Sequence, residues 1–255
     1  MPSRAFYPDL AAASVFVTGG GSGIGAALTR AFAAQTARVA FVDIAEEESR
    51  ALVDAVAAET GVAPLFIPCD IRDVPALQAA VRRAGEVHGD VGVLLNNAAN
   101  DQRHRVEDVT RAYWDDRMAI NQRPMMFAAQ AVLPMMKRLG GGSIVNFGSI
   151  SWKLGNGGMP AYTMAKAAVH GLTRGLARDF GPFGIRVNTL LPGWVMTERQ
   201  KALWLTPEAE AEMLKGQCLK IRIEPDQVAD LALFLASEAS SACTAQEFTV
   251  DAGWS

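Results

Sequence analysis

The chain has 255 residues, half of them hydrophobic, and a formal charge of −3 with neither sign gathered into a run. That is enough apolar material for one large core, and it lacks the basic stripe that nucleic-acid binding requires. No stretch approaches the roughly 20 apolar residues of a membrane span. Pro8 and Asp9 interrupt the N-terminal segment where a secretory signal needs an apolar run. Cys69, Cys218 and Cys243, with three scattered histidines, have neither C-x-x-C nor metal-ligand spacing. The expectation is a soluble cytoplasmic protein with no nucleic-acid or membrane partner and no metal.

In chain order, apolar runs alternate with amphipathic segments. Strands are expected at 14–19, 38–43, 63–68, 91–97, 142–149, 185–192 and 246–253, and helices at 23–35, 45–59, 73–87, 108–138, 160–180 and 225–237. The strand runs are short, rich in Val, Ile and Phe, and too continuous to have a wet face. Strands of a parallel sheet covered on both sides have this character. Repeated βα units with right-handed crossovers predict an α/β chain, doubly wound, with an approximately seven-stranded parallel sheet and helices on both faces. No linker interrupts the alternation, so residues 1–255 are expected to form a single domain. The segment 194–217 fits no strand slot and is expected to be an inserted loop with one or two short helices, the kind of insertion that covers a site as a lid.

The first strand runs into TGGGSGIG, residues 18–25, which opens the first helix. Its Gly19, Gly21, Gly23 and Gly25 let backbone approach a pyrophosphate, and the helix start carrying Ser22 and Ile24 favours the negative charge. This turn makes the domain Rossmann-type. The second strand ends at Asp43, followed by Ile44. A carboxylate there accepts from both adenosine ribose hydroxyls and repels a 2′-phosphate. No Arg or Lys stands in the turn or in the three positions after Asp43, so NAD is expected over NADP. A plain helix N-cap is the alternative role for Asp43. Asp70 and Ile71 close the third strand, where a carboxylate can reach the adenine amino group. Asn96 to Ala99 close the fourth, beside the point where strand order reverses.

Beyond the cofactor signals, Ser149 ends the fifth strand. Tyr162 and Lys166 stand four residues apart on one face of the following helix. TGGGSGIG, NNAA, Ser149, YTMAK and LPG (191–193) match in order and spacing the short-chain dehydrogenases/reductases, which the chain resembles over nearly its whole length. The resemblance implies a Tyr162 base, Lys166 beside it, Ser149 on the substrate oxygen, and Asn121 of the long middle helix carrying a proton-path water on its backbone. For Asn121 a helix-distorting or interface role is the alternative. The resemblance also implies cofactor contacts from Asn97, Ala98, Ala99, Pro192, Gly193, Val195, Thr197, Tyr162 and Lys166. A phenol with pKa near 10 needs lowering by two to three units, roughly 3–4 kcal/mol, to act as a base; Lys166 and a positively charged nicotinamide ring are expected to supply it. Ala99 replaces the family's usual Gly and is expected to be tolerated if its φ is negative.

Three stretches are expected to line the substrate end: 100–104, 150–158 and 193–200. They carry Asn100, Asp101, Arg103, His104, Ser151, Asn156 and Arg199 as polar groups, with Trp152 and Trp194 as flat faces. Asn100, Ser149, Ser151, Trp152, Asn156, Tyr162 and Trp194 are the substrate-binding candidates. Polar groups plus an indole face suit a sugar. The finer match, through NDQRH, NFGSISW, QCLKIRIEP and DAGW, is to bacterial aldose 1-dehydrogenases. It implies oxidation of the anomeric C1 hydroxyl of an aldose to its lactone with NAD. The alternative is another NAD-dependent member acting on a secondary alcohol or a 3-oxoacyl substrate. The family further implies a homotetramer, for which the apolar helix 124–136 is either an interface or a buried core element.

Overall fold

The computed structural model describes residues 5–255. Seven strands form one parallel sheet in the order β3-β2-β1-β4-β5-β6-β7. They are β1 (Ser14–Thr18), β2 (Arg38–Asp43), β3 (Leu65–Pro68), β4 (Val93–Asn96), β5 (Gly142–Phe147), β6 (Ile185–Pro192) and β7 (Glu247–Val250). Helices α1 (Gly23–Ala34), α2 (Glu46–Thr60) and α9 (Pro225–Ala236) cover one face. Helices α3 (Val74–His88), α5 (Arg123–Leu139) and α6 (Pro160–Phe180) cover the other.

Successive strand residues point to opposite faces, and the core divides accordingly. Val15 and Val17 join Leu28, Phe32, Phe41 and Leu233 on the α1/α9 side. Phe16 joins Val42, Leu77, Leu94, Ile144 and Met136 on the α3/α5 side. Strand order reverses between β1 and β4, where Thr18 pairs in register with Asn96. A crevice opens there at the carboxyl ends of the strands.

The expected helix 108–138 is two helices. Helix α4 (Arg111–Asn121) stops at Gln122, whose φ and ψ of −132° and −59° are not helical, and α5 begins at Arg123. Pro124 is the cause: it has no N–H to return to the Ile120 carbonyl, and its ring obstructs that carbonyl. Met125 N turns to the Gln122 carbonyl at 3.3 Å. The 194–217 insertion carries α7 (Glu198–Leu203) and α8 (Pro207–Gly216), capped by the Thr197 and Thr206 hydroxyls, which accept from Gln200 N and Ala209 N. Among the described residues no helix is long and apolar enough to cross a membrane.

Candidate active site

A cleft of about 1100 Å³ runs along the strand ends from Asp43 and Asp70 to Tyr162, Trp204 and Trp254. Its glycine turn is built by close packing. A Cβ on Gly25 would lie 1.7 Å from the Gly19 carbonyl oxygen, one on Gly20 2.5 Å from the Phe41 Cβ, and one on Gly21 2.1 Å from Ser49 Oγ. Gly19 and Gly23 have φ of +65° and +52°, a region that favours glycine. Gly19, Ser22, Ile24 and Gly25 line the cleft, whereas Gly21 and Gly23 serve the turn from behind. No side chain caps the start of α1, so its first N–H groups remain for an anion.

The turn is tied to its neighbours. Asn97 Nδ2 donates to the Thr18 and Gly19 carbonyls at 3.1 and 3.0 Å, and Thr18 Oγ1 accepts from the backbone N–H of Asn97 and Ala98. Asp43 accepts from Gly21 N at 2.9 Å and from Ala45 N at 3.0 Å. The carboxylate therefore both supports the turn and opens α2, and each of its oxygens keeps a further acceptor site. Ile44, 73% exposed, and Ile71 present aliphatic surface to the same end. Asp70 is clamped by Arg72, which also binds Asp116 of α4; this clamp holds its carboxyl below the usual carboxylate range. Ala98, Ala99, Pro192, Gly193, Val195 and Thr197 line the cleft. Ala99 is not among the residues of positive φ, so its Cβ brings no backbone strain. The exposed isoleucine, the uncapped helix start and the glycine cradle fit a dinucleotide.

At the opposite end, Ser149, Tyr162 and Lys166 come together. Ser149 follows β5 and accepts from Ser151 N at 3.2 Å. Tyr162 and Lys166 lie on the first two turns of α6. This helix is tethered by a buried amide chain: Asn96 Nδ2 donates to Asn146 Oδ1, Asn146 Nδ2 to Thr173 Oγ1, and Thr189 Oγ1 to the same Thr173 oxygen. Lys166 is 1% exposed and donates to the Phe147 carbonyl at 2.6 Å. Its Nζ lies 5.8 Å from the centre of the Tyr162 ring.

Burial dominates the charge balance at Tyr162 and Lys166. Burial, then the negative charge of Asp101, pushes the Tyr162 phenol up to about 12, against the downward pull of the Ser149 hydrogen bond and the Arg103 charge. Burial brings Lys166 down to about 7. Desolvation is the largest cause for both groups, because each must ionise away from water.

Asn121 is fully buried and does not line the cleft. Its side chain clasps the Asn100 backbone, accepting from Asn100 N at 2.8 Å and donating to Asn100 O at 3.1 Å. It thereby fixes the β4–α4 loop at the helix break. Asn100, Ser151 and Asn156 line the cleft as expected. Trp152 does not: its indole packs edge-on to His170 and donates to His170 Nε2 at 3.1 Å. An indole N–H only donates, so the His170 proton sits on Nδ1, facing Glu247 at 2.5 Å, and Lys153 closes the group on the same carboxylate. Trp152 thus anchors the Ser149–Asn156 loop to α6 and β7. His104 is likewise structural, its Nε2 accepting from Ala161 N at the start of α6.

Trp194 lines the cleft, but its Nε1 is engaged by Gln200 Oε1 at 2.9 Å. Gln200, the last residue of the expected stretch 193–200, lines the cleft too, and so do Trp204, Arg117 and Trp254, which sequence reasoning missed. Arg103 lies over the Trp204 ring, 5.2 Å from its centre. A tryptophan between two short lid helices is the signal that could have singled out Trp204.

Comparison with known proteins matches this architecture to one family. The family model described as Enoyl-(Acyl carrier protein) reductase matches residues 19–255. The chain is 52% identical over 252 residues to D-xylose 1-dehydrogenase of Caulobacter vibrioides, with 99% of each chain covered. It is 53% identical over 253 residues to "Probable galactose dehydrogenase GalD" of Rhizobium meliloti, covering 99% of this chain and 98% of that one. Among solved structures, a short-chain type dehydrogenase/reductase from Mycobacterium ulcerans superposes with a TM-score of 0.91 at 28% identity, over 98% of this chain and 91% of that one. Relatives matched from end to end, and a family model that reaches the last residue, lead to one assignment: the chain belongs to the short-chain dehydrogenases/reductases.

Proposed function

We propose that the protein is an NAD-dependent aldose 1-dehydrogenase, oxidising the anomeric C1 hydroxyl of a cyclic sugar to its lactone. The observation that carries this reading is the company Tyr162 keeps: Ser149 and Lys166 on one side, and on the other a polar end walled by Asn100, Asp101, Asn156, Gln200 and Trp204. Such walls suit hydroxyl edges and C–H faces. They do not suit an acyl chain, despite the description of the matching family model. The two relatives at 52–53% identity, one named for xylose and one for galactose, support the same substrate class.

A nicotinamide cofactor held by the glycine turn, Asp43 and the strand ends would supply the hydride acceptor for C1. Tyr162 Oη takes the hydroxyl proton, Ser149 Oγ hydrogen-bonds the same oxygen, and Lys166 lowers the phenol's cost of ionising. Burial holds the phenol above its ordinary range, so Lys166 and positive charge brought in with the ligands together have to bring it down to a working range. The Asn121 carbonyl, whose usual helical donor Met125 N turns to Gln122, is suited to hold a water between Lys166 and solvent. In this reading one domain carries both ends of the cleft. Exposed Met126 and Met164 on α5 and α6, with the open edge of β7, suit a homotetramer. The compartment is the cytoplasm.

The deciding experiment is NADH formation across a panel of aldopentoses and aldohexoses. Turnover of at least one aldose, with the lactone as product, is expected. Activity confined to simple secondary alcohols or oxoacyl esters would replace the aldose reading with the alternative.

NAD preference rests on Asp43 and on the absence of a cation beside it in the turn. Asp43→Ala is expected to reduce kcat/KM with NAD by about 10- to 100-fold, the worth of hydrogen bonds to a charged acceptor. Activity with NADP should fall much less or rise, because the repulsion of a 2′-phosphate is gone. An unchanged NAD/NADP ratio would leave Asp43 as a helix cap and turn support only.

A further inference from the structure

The lining of the cleft contains three carboxylates: Asp43 and Asp70 at the dinucleotide end and Asp101 beside Tyr162. Asp101 lies on the loop after β4 that Asn121 clasps through Asn100. Its two oxygens are used unequally. Oδ2 accepts from Gln200 Nε2 of α7 at 2.7 Å, and Gln200 Oε1 accepts in turn from Trp194 Nε1 at 2.9 Å. This chain ties the β4–α4 loop both to Trp194, just after β6, and to α7 of the 194–217 insertion. Oδ1 has only the Arg199 Nε, at 3.5 Å, an ion pair longer than a normal hydrogen bond. Among the described residues no hydrogen bond reaches it, and the side chain is only 20% exposed.

Oδ1 keeps access to the open cleft, so it is left as an acceptor that a ligand can take over from solvent. Among its neighbours, Arg199 reaches no closer, the Arg103 guanidinium lies over the Trp204 ring, and the buried Trp204 Nε1 has no partner of its own and does not reach Oδ1. Each hydroxyl of a sugar, by contrast, carries a proton to donate, and a carboxylate is the strongest side-chain acceptor for it.

Resting on the aldose reading, we propose that Asp101 is the residue that reads a ring hydroxyl of the substrate through Oδ1, while Oδ2 holds the lid through Gln200. Sugar recognition and lid anchoring are then two ends of one carboxylate. The hydroxyl it reads is remote from C1, since the C1 oxygen belongs to Tyr162 and Ser149. This places epimer discrimination on the β4–α4 loop.

The test uses the full-length wild type, the isosteric Asp101→Asn, Asp101→Ala, and Gln200→Ala, each with the best aldose of the panel and its monodeoxy analogues. Asp101→Ala is expected to raise KM for the sugar about 10- to 100-fold, the cost of losing a hydrogen bond to a charged group, with NAD affinity within about threefold of wild type. One monodeoxy analogue should lose a similar factor on wild type. On Asp101→Ala, removing that same hydroxyl should cost little more, since both changes remove one interaction. Gln200→Ala, which frees the lid but leaves Oδ1 in place, should keep the full penalty for the deoxy analogue. Asp101→Asn keeps the shape of the site, and with it the coupling test, if the alanine variant does not fold. Fully additive losses for every deoxy sugar on both Asp101 variants would overturn the proposal, as would an unchanged sugar KM. Failure of the wild type on every aldose would strike the aldose reading itself, before any variant is compared.

Discussion

Tyr162→Phe is expected to lower kcat/KM by about 10³- to 10⁴-fold while leaving NAD affinity within about threefold of wild type. The substitution removes one oxygen, and that oxygen is the site's proton acceptor; positioned acid–base groups contribute factors of this size. Its neighbours cannot replace it. Ser149 Oγ is a far weaker base, and Lys166 Nζ is directed to the Phe147 carbonyl. The ring remains in place at the start of α6, so the cofactor end of the cleft, built from the glycine turn and Asp43, is untouched. The folded protein should lose little stability, because a phenol that burial has pushed up to about 12 is neutral at pH 7 and Phe fills the same volume. Steady-state NADH formation and calorimetric titration with NAD measure the two quantities. A variant within tenfold of wild-type turnover would remove Tyr162 from the chemistry.

The strands were legible because a parallel strand buried on both faces has no choice but to be a continuous Val/Ile/Phe run, and the bounds of 38–43 and 185–192 coincide with β2 and β6. The glycine turn was legible for a steric reason: contacts as close as that between Gly25 and Gly19 O tolerate no Cβ. The helix break at Gln122 had its signal in Pro124, overridden by the length of the apolar pattern around it. Side-chain direction was the part that stayed hidden. Trp152 and Trp194 look alike as indoles beside motifs, yet one turns to His170, eighteen residues away, and the other into the cleft. The Asp101–Gln200 contact joins residues 99 apart, and the Lys153–Glu247 pair joins the loop after β5 to the start of β7, which only the sheet order brings together. The charge states of Tyr162 and Lys166 were hidden for the same reason. A Tyr-x-x-x-Lys spacing reveals the attraction between the two groups but not the desolvation that opposes it.

That desolvation yields the second large effect. Lys166→Met should abolish turnover and at the same time make the ligand-free protein more stable near neutral pH. The lysine's pKa falls from 10.5 to about 7 on folding, so the unfolded chain binds a proton that the native protein gives up across that window. Wild-type stability therefore rises with pH between about 7 and 10.5, and below about 7 the native state carries the whole cost of a buried ammonium. Three and a half units correspond to roughly 5 kcal/mol as an upper bound. The Phe147 carbonyl, left without its donor, takes back about 1–3 kcal/mol. A net gain of about 2 kcal/mol corresponds to a rise in Tm of about 4–8 °C for a chain of this size. The gain should be largest at pH 6–7, shrink as pH rises through the window, and turn into a small loss toward pH 10.5, where the wild-type lysine is neutral in both states and only the lost bond to the Phe147 carbonyl remains. Saturating NAD should narrow it too, because a ligand that binds the native state stabilises the wild type by mass action, and the variant lacks one of its contacts. Thermal unfolding of both proteins from pH 6 to 10, with and without NAD, separates the cases. A Tm difference that stays flat with pH would mean that Lys166 is not held against its charge. The site would then have to lower the phenol's pKa by some route other than a lysine kept partly neutral until the ligands bind.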